Sequence, residues 1–298
     1  MAKPKIWFNG RLIGWNDSKI HLTSYSLHYG AAAFEGIRFY QTKKGIALFR
    51  LKDHIKRLLK SAEILGMNIR YSQKELEKSA KLTVKASGMK SGYLRPIIFY
   101  GESKLFVHAK DSRVNIAMII LPWEKYLQNN SVRVMISKYI RIHPKSVPME
   151  AKISGYYVNS LFAILDARKN GYDEALLLDH NGYVAEGPAE NFFIVKNNVL
   201  MTPQLGNILP GITRDSIIEI AKDNGIEVIE KNLKPEDAKN SDEAFFTGTG
   251  AEITPIVQIG KSMIGNGKIG LMTQKLAGLF GDAVSGKNMK YEKWLDYV

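Results

Sequence analysis

Apolar and polar positions change period several times along this chain, and each change marks an expected element. Ile6–Phe8 and Arg11–Ile13 flank Asn9-Gly10, a dipeptide suited to a type I′ turn because both central residues of that turn need positive φ. A hairpin is expected there, and a second one from strands over 37–41 and 46–49 across Lys43-Lys44-Gly45. From Leu51 the period lengthens: Leu51, Ile55, Leu58, Leu59, Ala62 and Leu65 recur at the spacing of one helical face, and Gly66 suits the C-terminal cap. A second helix follows around Gln73–Ser87, then two β-rich runs over 93–100 and Val114–Leu121.

The pattern breaks between Pro122 and Asn130, which places a linker at 124–130 between a smaller domain, 1–123, and a larger one, 131–298. Beyond it the spacing predicts a strand over 132–137 and a helix Tyr157–Lys169 closed by Asn170-Gly171. Strands over 175–179 and 182–185 flank Asn181-Gly182, and further strands are expected over 192–196 and 199–201. A helix Ile212–Asp223, a strand over 226–229 and a last helix over 272–284 complete a two-domain α+β body without internal repeats.

Composition sharpens this outline. Of the 298 residues 45% are hydrophobic and 24% charged, which excludes wholesale disorder and fibrous architectures. No cysteine is present, so disulfides, thiolate metal sites and a cysteine nucleophile are excluded, and a reducing interior is compatible. No apolar run approaches the roughly 18 residues of a membrane span. A strand is expected directly after Met1-Ala2-Lys3-Pro4-Lys5, so no signal peptide is evident and a cytoplasmic setting is expected.

The formal charge is +13, and it is uneven: residues 1–150 carry 27 basic and 10 acidic side chains, residues 151–298 carry 15 and 19. Lys52, Lys56 and Lys60 fall on the polar side of the first helix, and Lys74, Lys78, Lys81 and Lys85 form a stripe on the second. Both read as solvated faces, because they lack the recognition motif or interleaved aromatics of a nucleic-acid surface. A basic RNA-binding protein is the alternative from a different class.

Chemistry is sparse at the level of short motifs. The six histidines include no HExxH pair, so no metal site is expected. GxSxG, Walker A and GxGxxG are absent, Gly248-Thr249-Gly250-Ala251-Glu252 lacking the third glycine. Leu209-Pro210-Gly211-Ile212-Thr213-Arg214-Asp215 runs from a turn into a helix, whose first amides attract a phosphate; the plain alternative is an ordinary helix start with Thr213 as cap. The turn Ala185-Glu186-Gly187-Pro188-Ala189-Glu190-Asn191 sets two acids between apolar strands, where a buried carboxylate would need a cationic partner. Lys152, between Ala151 and Ile153, is one lysine among many, although partial desolvation would suit an amine there to Schiff-base chemistry.

Taken in order, these segments resemble the branched-chain amino acid aminotransferases, a fold type IV family dependent on pyridoxal 5'-phosphate (PLP). The stretches that carry the resemblance are Trp7-Phe8-Asn9-Gly10, Leu27-His28-Tyr29-Gly30, Phe34-Glu35-Gly36-Ile37-Arg38, 50–58 with its run Asp53-His54-Ile55-Lys56-Arg57-Leu58, and Tyr93-Leu94-Arg95-Pro96. Ala151-Lys152, 179–191, 209–215 and 248–255 continue it. The resemblance implies a small N-terminal α/β domain, a larger β-barrel-like C-terminal domain with helices, and a PLP site at their interface.

It also implies roles. Lys152 would bind the cofactor's aldehyde and shuttle the substrate's Cα proton, Glu186 would face the pyridine nitrogen, and Tyr157 would reach the ring's phenolic oxygen. Arg57, Ile212, Thr213 and Thr249 would hold the phosphate, although Arg57 lies off the apolar stripe of its helix. Gly250 and Ala251 would meet the α-carboxylate, Phe34, Tyr93 and Tyr126 would wall the side-chain pocket, and Arg95 would take the distal carboxylate of glutamate or 2-oxoglutarate. Arg38 is a further candidate for that acid. Tyr29 would come from the partner subunit of a homodimer or a dimer-based oligomer. The implied reaction is ping-pong exchange of the amino group between leucine, isoleucine or valine and 2-oxoglutarate through pyridoxamine phosphate. D-amino acid or R-amine transaminases and aminodeoxychorismate lyase share the fold and are the nearest alternatives.

Overall fold

The computed structural model describes residues 4–109, 112–123 and 131–298, so Tyr126 and the expected linker at 124–130 lie outside the described residues. The chain divides into two compact units: 1–124 with Ala151–Tyr156 and Asp282–Val298, and 125–150 with Tyr157–Gly281. Each unit is built around one eight-stranded sheet, and the class is α+β.

The first unit opens with β1 (Ile6–Phe8) and β2 (Arg11–Ile13), joined by Asn9 and Gly10, which both take positive φ as the turn requires. Asn9 accepts from the Ile116 amide at 2.9 Å, which ties this turn to a later strand. Then come α1 (Tyr25–Tyr29), β3 (Ala32–Phe34), β4 (Ile37–Thr42), β5 (Gly45–Phe49), α2 (Leu51–Ile64), α3 (Gln73–Ser87), β6 (Gly92–Tyr100) and β7 (Val114–Leu121). A capping box of Ser72 and Glu75 starts α3.

In the second unit β8 (Val132–Ile136) is followed by α4 (Tyr157–Lys169), β9 (Glu174–Leu176), β10 (Asn191–Lys196) and β11 (Val199–Thr202). Next are α5 (Ile212–Asp223), β12 (Val228–Glu230), α6 (Pro235–Lys239), β13 (Glu243–Gly248), β14 (Glu252–Ile259) and β15 (Ser262–Met263). The last helix, α7, is Leu271–Val284, its first amides capped by the Glu243 carboxylate, and β16 (Leu295–Tyr297) returns to pair with β5 in the first unit.

Strand order in the first unit is β16-β5-β4-β6-β7-β1-β2, with β3 also on β6, and every pairing is antiparallel. Alternation sorts the two faces of β4 and β6. Ile37, Phe39, Leu94 and Ile98 join Leu51, Ile55, Leu58, Leu76 and Val84 in the core under α2 and α3. Arg38, Tyr40, Tyr93 and Arg95 fall on the opposite face, because directly paired residues share a face and Arg38 pairs with Tyr93.

The second sheet is mixed, in the order β12-β11-β10-β13-β14-β8-β9. Single bridges Leu178↔Val184 and Glu186↔Asn191 continue from beyond β9 to the first residue of β10. The expected strand over 182–185 is therefore only a bridge. Asp179 ends its ladder by accepting the amides of Asn181 and Tyr183.

The segment Ala151–Tyr156, expected within the second domain, groups with the first unit for a plain reason. Ile153 bridges Ala33, and the Phe34 amide donates to the Lys152 carbonyl at 3.1 Å.

Candidate active site

In the first unit the chemistry gathers where β3 ends, beside α2 and the Lys152 segment. The Lys152 backbone is pinned on both sides: its carbonyl accepts from Phe34, and its amide donates to Ser61 Oγ at 2.9 Å. The Lys152 ammonium stands 5.0 Å from the centre of the Phe34 ring, and the Arg95 guanidinium 4.8 Å from the same ring. An amine and a guanidinium thus share one apolar surface.

Around that surface Arg95 Nη2 donates to the Tyr93 hydroxyl at 2.9 Å, while its buried Nε has no hydrogen-bond partner among the described residues. Tyr93 stacks on Trp123 with ring centres 4.4 Å apart, and Arg38 lies over the Tyr40 and Trp123 rings at 4.9 and 5.7 Å. Gly36 makes this packing possible, since a Cβ there would overlap the Tyr93 hydroxyl.

Behind it is a buried ionic cluster. Glu35 is fully buried and receives Arg57 Nε at 2.6 Å, Arg57 Nη2 at 3.0 Å and His54 Nδ1 at 2.8 Å. His54, Arg57 and Ser61 are three and four residues apart, so α2 presents them as one polar stripe. Arg57, whose wheel position reads as solvated, is folded inward by this carboxylate.

Burial alone would push the Glu35 carboxyl up, but the Arg57 and His54 charges and hydrogen bonds reverse this and hold it well below the usual range. Burial pushes His54 down, the Arg57 and Lys152 cations add to that, and the opposing pull of Glu35 is too small to restore it. We therefore take His54 as neutral. Because an ionised carboxylate only accepts, the proton sits on Nδ1.

The Tyr29 hydroxyl donates to the Leu105 carbonyl at 2.7 Å, and the residue is 43% exposed.

The second unit holds the other candidates. Glu186 is buried and receives Arg141 Nε at 2.6 Å on one oxygen, and Asn191 Nδ2 at 3.2 Å and the Leu209 amide at 3.1 Å on the other. Arg141 is the cation that a buried carboxylate at this turn requires. Asn191 also donates to the Leu209 carbonyl at 2.9 Å, so one side chain ties the Glu186 turn to the start of α5.

That start differs from the plain expectation: Gly211 is the N-cap, and Ile212 and Thr213 are the first two helical residues. Their amides have no acceptor within the helix. Thr249, Gly250 and Ala251 form the short turn from β13 to β14, and a Cβ on Gly248 would press on the Ala189 carbonyl. Across the ladder from Asn191, the buried Thr247 hydroxyl has no hydrogen-bond partner among the described residues. Tyr157 opens α4.

This donor set fits PLP. By chemical type, a lysine amine suits its aldehyde, a buried carboxylate its ring nitrogen, and an arginine or the first amides of a helix its phosphate. Two orphaned polar atoms, Arg95 Nε and Thr247 Oγ1, add unused donor capacity at the two clusters. No group of three or more metal-ligating side chains occurs among the described residues.

An amine in the first unit, and an anchored carboxylate and a glycine-led helix start in the second, are chemistry that comparison with known families resolves. The pattern described as amino-transferase class IV matches residues 32–259, and the chain belongs to that family. The branched-chain-amino-acid aminotransferase of Pseudomonas aeruginosa is 39% identical over 297 residues, 98% of this chain and 97% of that one. The crystal structure of a branched-chain aminotransferase from the thermophilic archaeon Thermoproteus uzoniensis, with norvaline, superposes at TM-score 0.95 with 41% identity over 99% of each chain. The Escherichia coli branched-chain amino acid aminotransferase superposes at TM-score 0.96 with 38% identity, again over 99% of each chain. A further branched-chain amino acid aminotransferase, solved in complex with N-(5'-phosphopyridoxyl)-L-glutamate, gives TM-score 0.96 and 40% identity over 100% of this chain and 99% of the other.

Sequence reasoning gave no role to Glu35, His54, Ser61, Arg141 and Asn191, which hydrogen-bond to the candidate residues or to one another. A signal existed for two of them, since His54 and Ser61 are polar residues at core-facing positions of α2.

Proposed function

We propose that this protein is a PLP-dependent aminotransferase that exchanges the amino group between branched-chain L-amino acids and 2-oxoglutarate. The observation that carries it is the Phe34 surface, with Lys152 and Arg95 at 5.0 and 4.8 Å from one ring. An apolar face flanked by an amine and a guanidinium suits a pocket that must take an aliphatic chain in one half-reaction and a carboxylate in the other. The relatives solved with norvaline and with a phosphopyridoxyl-glutamate support both halves.

When bound, PLP supplies an electron sink for the substrate's Cα. Lys152 Nζ removes and returns the proton at that carbon. Glu186, its oxygens aimed by Arg141, Asn191 and Leu209, accepts from the ring nitrogen, and Tyr157 donates to the phenolic oxygen. Arg57, the Ile212 and Thr213 amides and Thr249 hold the phosphate. Gly250 and Ala251 meet the α-carboxylate. Phe34 and Tyr93, with Tyr126, exclude water from the side chain, and Arg95 receives the distal carboxylate, with Arg38 in reserve. Mild discrimination among leucine, isoleucine and valine follows, because one methylene is worth about 0.8 kcal/mol.

The active form is a homodimer or a dimer-based oligomer, with Tyr29 serving a neighbouring subunit. We place it in the cytoplasm on its cysteine-free sequence; no helix among the described residues is long and apolar enough to cross a membrane.

The test is a panel of L-amino acids, D-amino acids and R-amines with 2-oxoglutarate, run on wild type, Lys152→Ala and Arg95→Ala. Turnover should be confined to branched L-substrates and glutamate. Lys152→Ala should fold but lose both turnover and the absorbance band of cofactor bonded covalently to this lysine. Arg95→Ala should lose 2-oxoglutarate turnover about tenfold or more, with leucine binding nearly unchanged. Preference for D-substrates would overturn the reading in favour of the sister activities.

A further inference from the structure

The phosphate reading leaves the buried pair behind Arg57 unused. Glu35 commits its carboxylate to a side-on fork with Arg57, through Nε at 2.6 Å and Nη2 at 3.0 Å, and to His54 Nδ1 at 2.8 Å. The Gly36 amide adds a contact at 3.3 Å. Glu35 is wholly buried and His54 nearly so, and neither sits where an ordinary core residue would be ionic or polar without a reason.

Two physical consequences follow, and they oppose each other. A fork with two parallel bonds fixes the plane of the guanidinium, so its outward N–H groups keep one direction and Arg57 loses little freedom on meeting an anion. Against this, the Glu35 charge cancels that of Arg57 and weakens attraction to a phosphate. If cancellation dominated, removing the Glu35 charge would strengthen phosphate binding. If orientation dominates, removal weakens it. The geometry favours orientation, because His54 contributes a further hydrogen bond that holds Glu35 itself in place.

We propose that Glu35 and His54 are positioning residues for the cofactor's phosphate: Glu35 orients Arg57, and His54 orients Glu35 through Nδ1–H. The inference rests on the reading of Arg57 as a phosphate ligand and deepens it.

The experiment compares the affinity of the full-length, cofactor-stripped protein for PLP and for pyridoxal, which differ only in the phosphate, with thermal melting as the control for folding. The readout is the preference for PLP over pyridoxal. Glu35→Gln keeps the shape but presents an NH2 group to Arg57 or His54, and should lower that preference about tenfold. His54→Leu, which removes the donor, should lower it in the same direction. His54→Asn, whose Nδ2 can stand in for Nδ1, should hold it within about twofold of wild type.

Glu35→Gln added to Arg57→Ala should cost nothing further. An unchanged or raised preference in Glu35→Gln, or equal losses in His54→Asn and His54→Leu, overturns the positioning role. If Arg57→Ala itself leaves the preference unchanged, the phosphate reading of Arg57 falls, and this inference with it. A fall in Arg57→Ala alone leaves that reading standing and removes only the positioning step. Should Glu35→Gln fail to fold, the two His54 variants decide the question.

Discussion

His54 shows how a residue can stand out in the sequence as a polar side chain while its partner stays hidden there. It occupies a core-facing position of α2, and its partner Glu35 is 19 residues away on the other side of a hairpin. Ser61 is worse placed for detection, since it meets the Lys152 amide across 91 residues. Motif reading finds residues whose chemistry is local, such as the Gly211 helix start; it misses those whose partners arrive only with the tertiary fold.

The same residue has a measurable consequence. Burial and neighbouring cations hold folded His54 below its ordinary value of about 6.5, so it is neutral in the native protein. As pH falls through about 6.5, the unfolded chain takes up a proton that the folded chain refuses, and stability drops by up to about 1.4 kcal/mol per pH unit. Glu35 acts in the same direction much further into acid, because its depressed value makes its contribution present above the carboxylate range and lost only on strong acidification. Chemical denaturation of the cofactor-free protein between pH 7.5 and 5.5 should therefore show a shallower slope for His54→Asn, which keeps the donor but cannot titrate. Parallel slopes in the two proteins would reject this account of the cluster.

At the scale of elements, legibility follows burial. The amphipathic helices α2, α3 and α5 and the Asn9-Gly10 hairpin are readable because one face of each is wet or because a turn demands a special backbone. β13 carries Phe245 and Phe246 both buried, facing opposite sides of its sheet, so the polar-apolar alternation that marks a half-exposed strand is missing. β16 is three residues long and is defined only by its pairing with β5.

The start of α5 illustrates a different element-level constraint. Gly211 has φ −71 and ψ 132, which any residue adopts, so glycine is required there by space: a Cβ would overlap Asn191 Oδ1. Displacing Asn191 loosens its bonds to Glu186 and Leu209 together. Gly211→Ala should therefore destabilise by about 1–3 kcal/mol and speed PLP loss. The same substitution at Gly278, inside α7 with open space around its missing Cβ, should instead stabilise by about 1 kcal/mol. Thermal melting and PLP dissociation rates check both signs, and destabilisation at both positions would remove the spatial argument.

At the scale of the whole molecule, the two-part division is only partly legible. The break near 124–130 is visible in the hydrophobic pattern, whereas the return of Ala151–Tyr156 and Asp282–Val298 to the first unit depends on backbone pairing between distant segments. The basic excess is a property of the early residues; Arg57, Arg95 and Lys152 belong to the first unit, whereas Arg141, paired with the buried Glu186, belongs to the second. The remaining surface question is where the apolar positions that neither core absorbs go.

On α4, Ser160, Ala163 and Ala167 are buried, while Val158, Leu161, Phe162 and Leu165 are about half exposed at the spacing of a single helical face. A helix apolar on both sides belongs in an interior, and this one lacks cover on its second side within the described chain. In the first unit Leu22, Leu27, Phe106 and Val107 are likewise exposed near Tyr29. A second copy of the chain is the occupant that the proposed dimer supplies. Leu161→Glu with Leu165→Glu should shift the protein toward monomer in light scattering, because two carboxylates cannot be buried unpaired. The packing side of α4 is untouched, so the monomer should retain its far-ultraviolet circular dichroism. Turnover should fall with the oligomer if Tyr29 serves a neighbouring subunit. A wild-type mass for the double variant would mean that α4 faces solvent and that any assembly uses another surface.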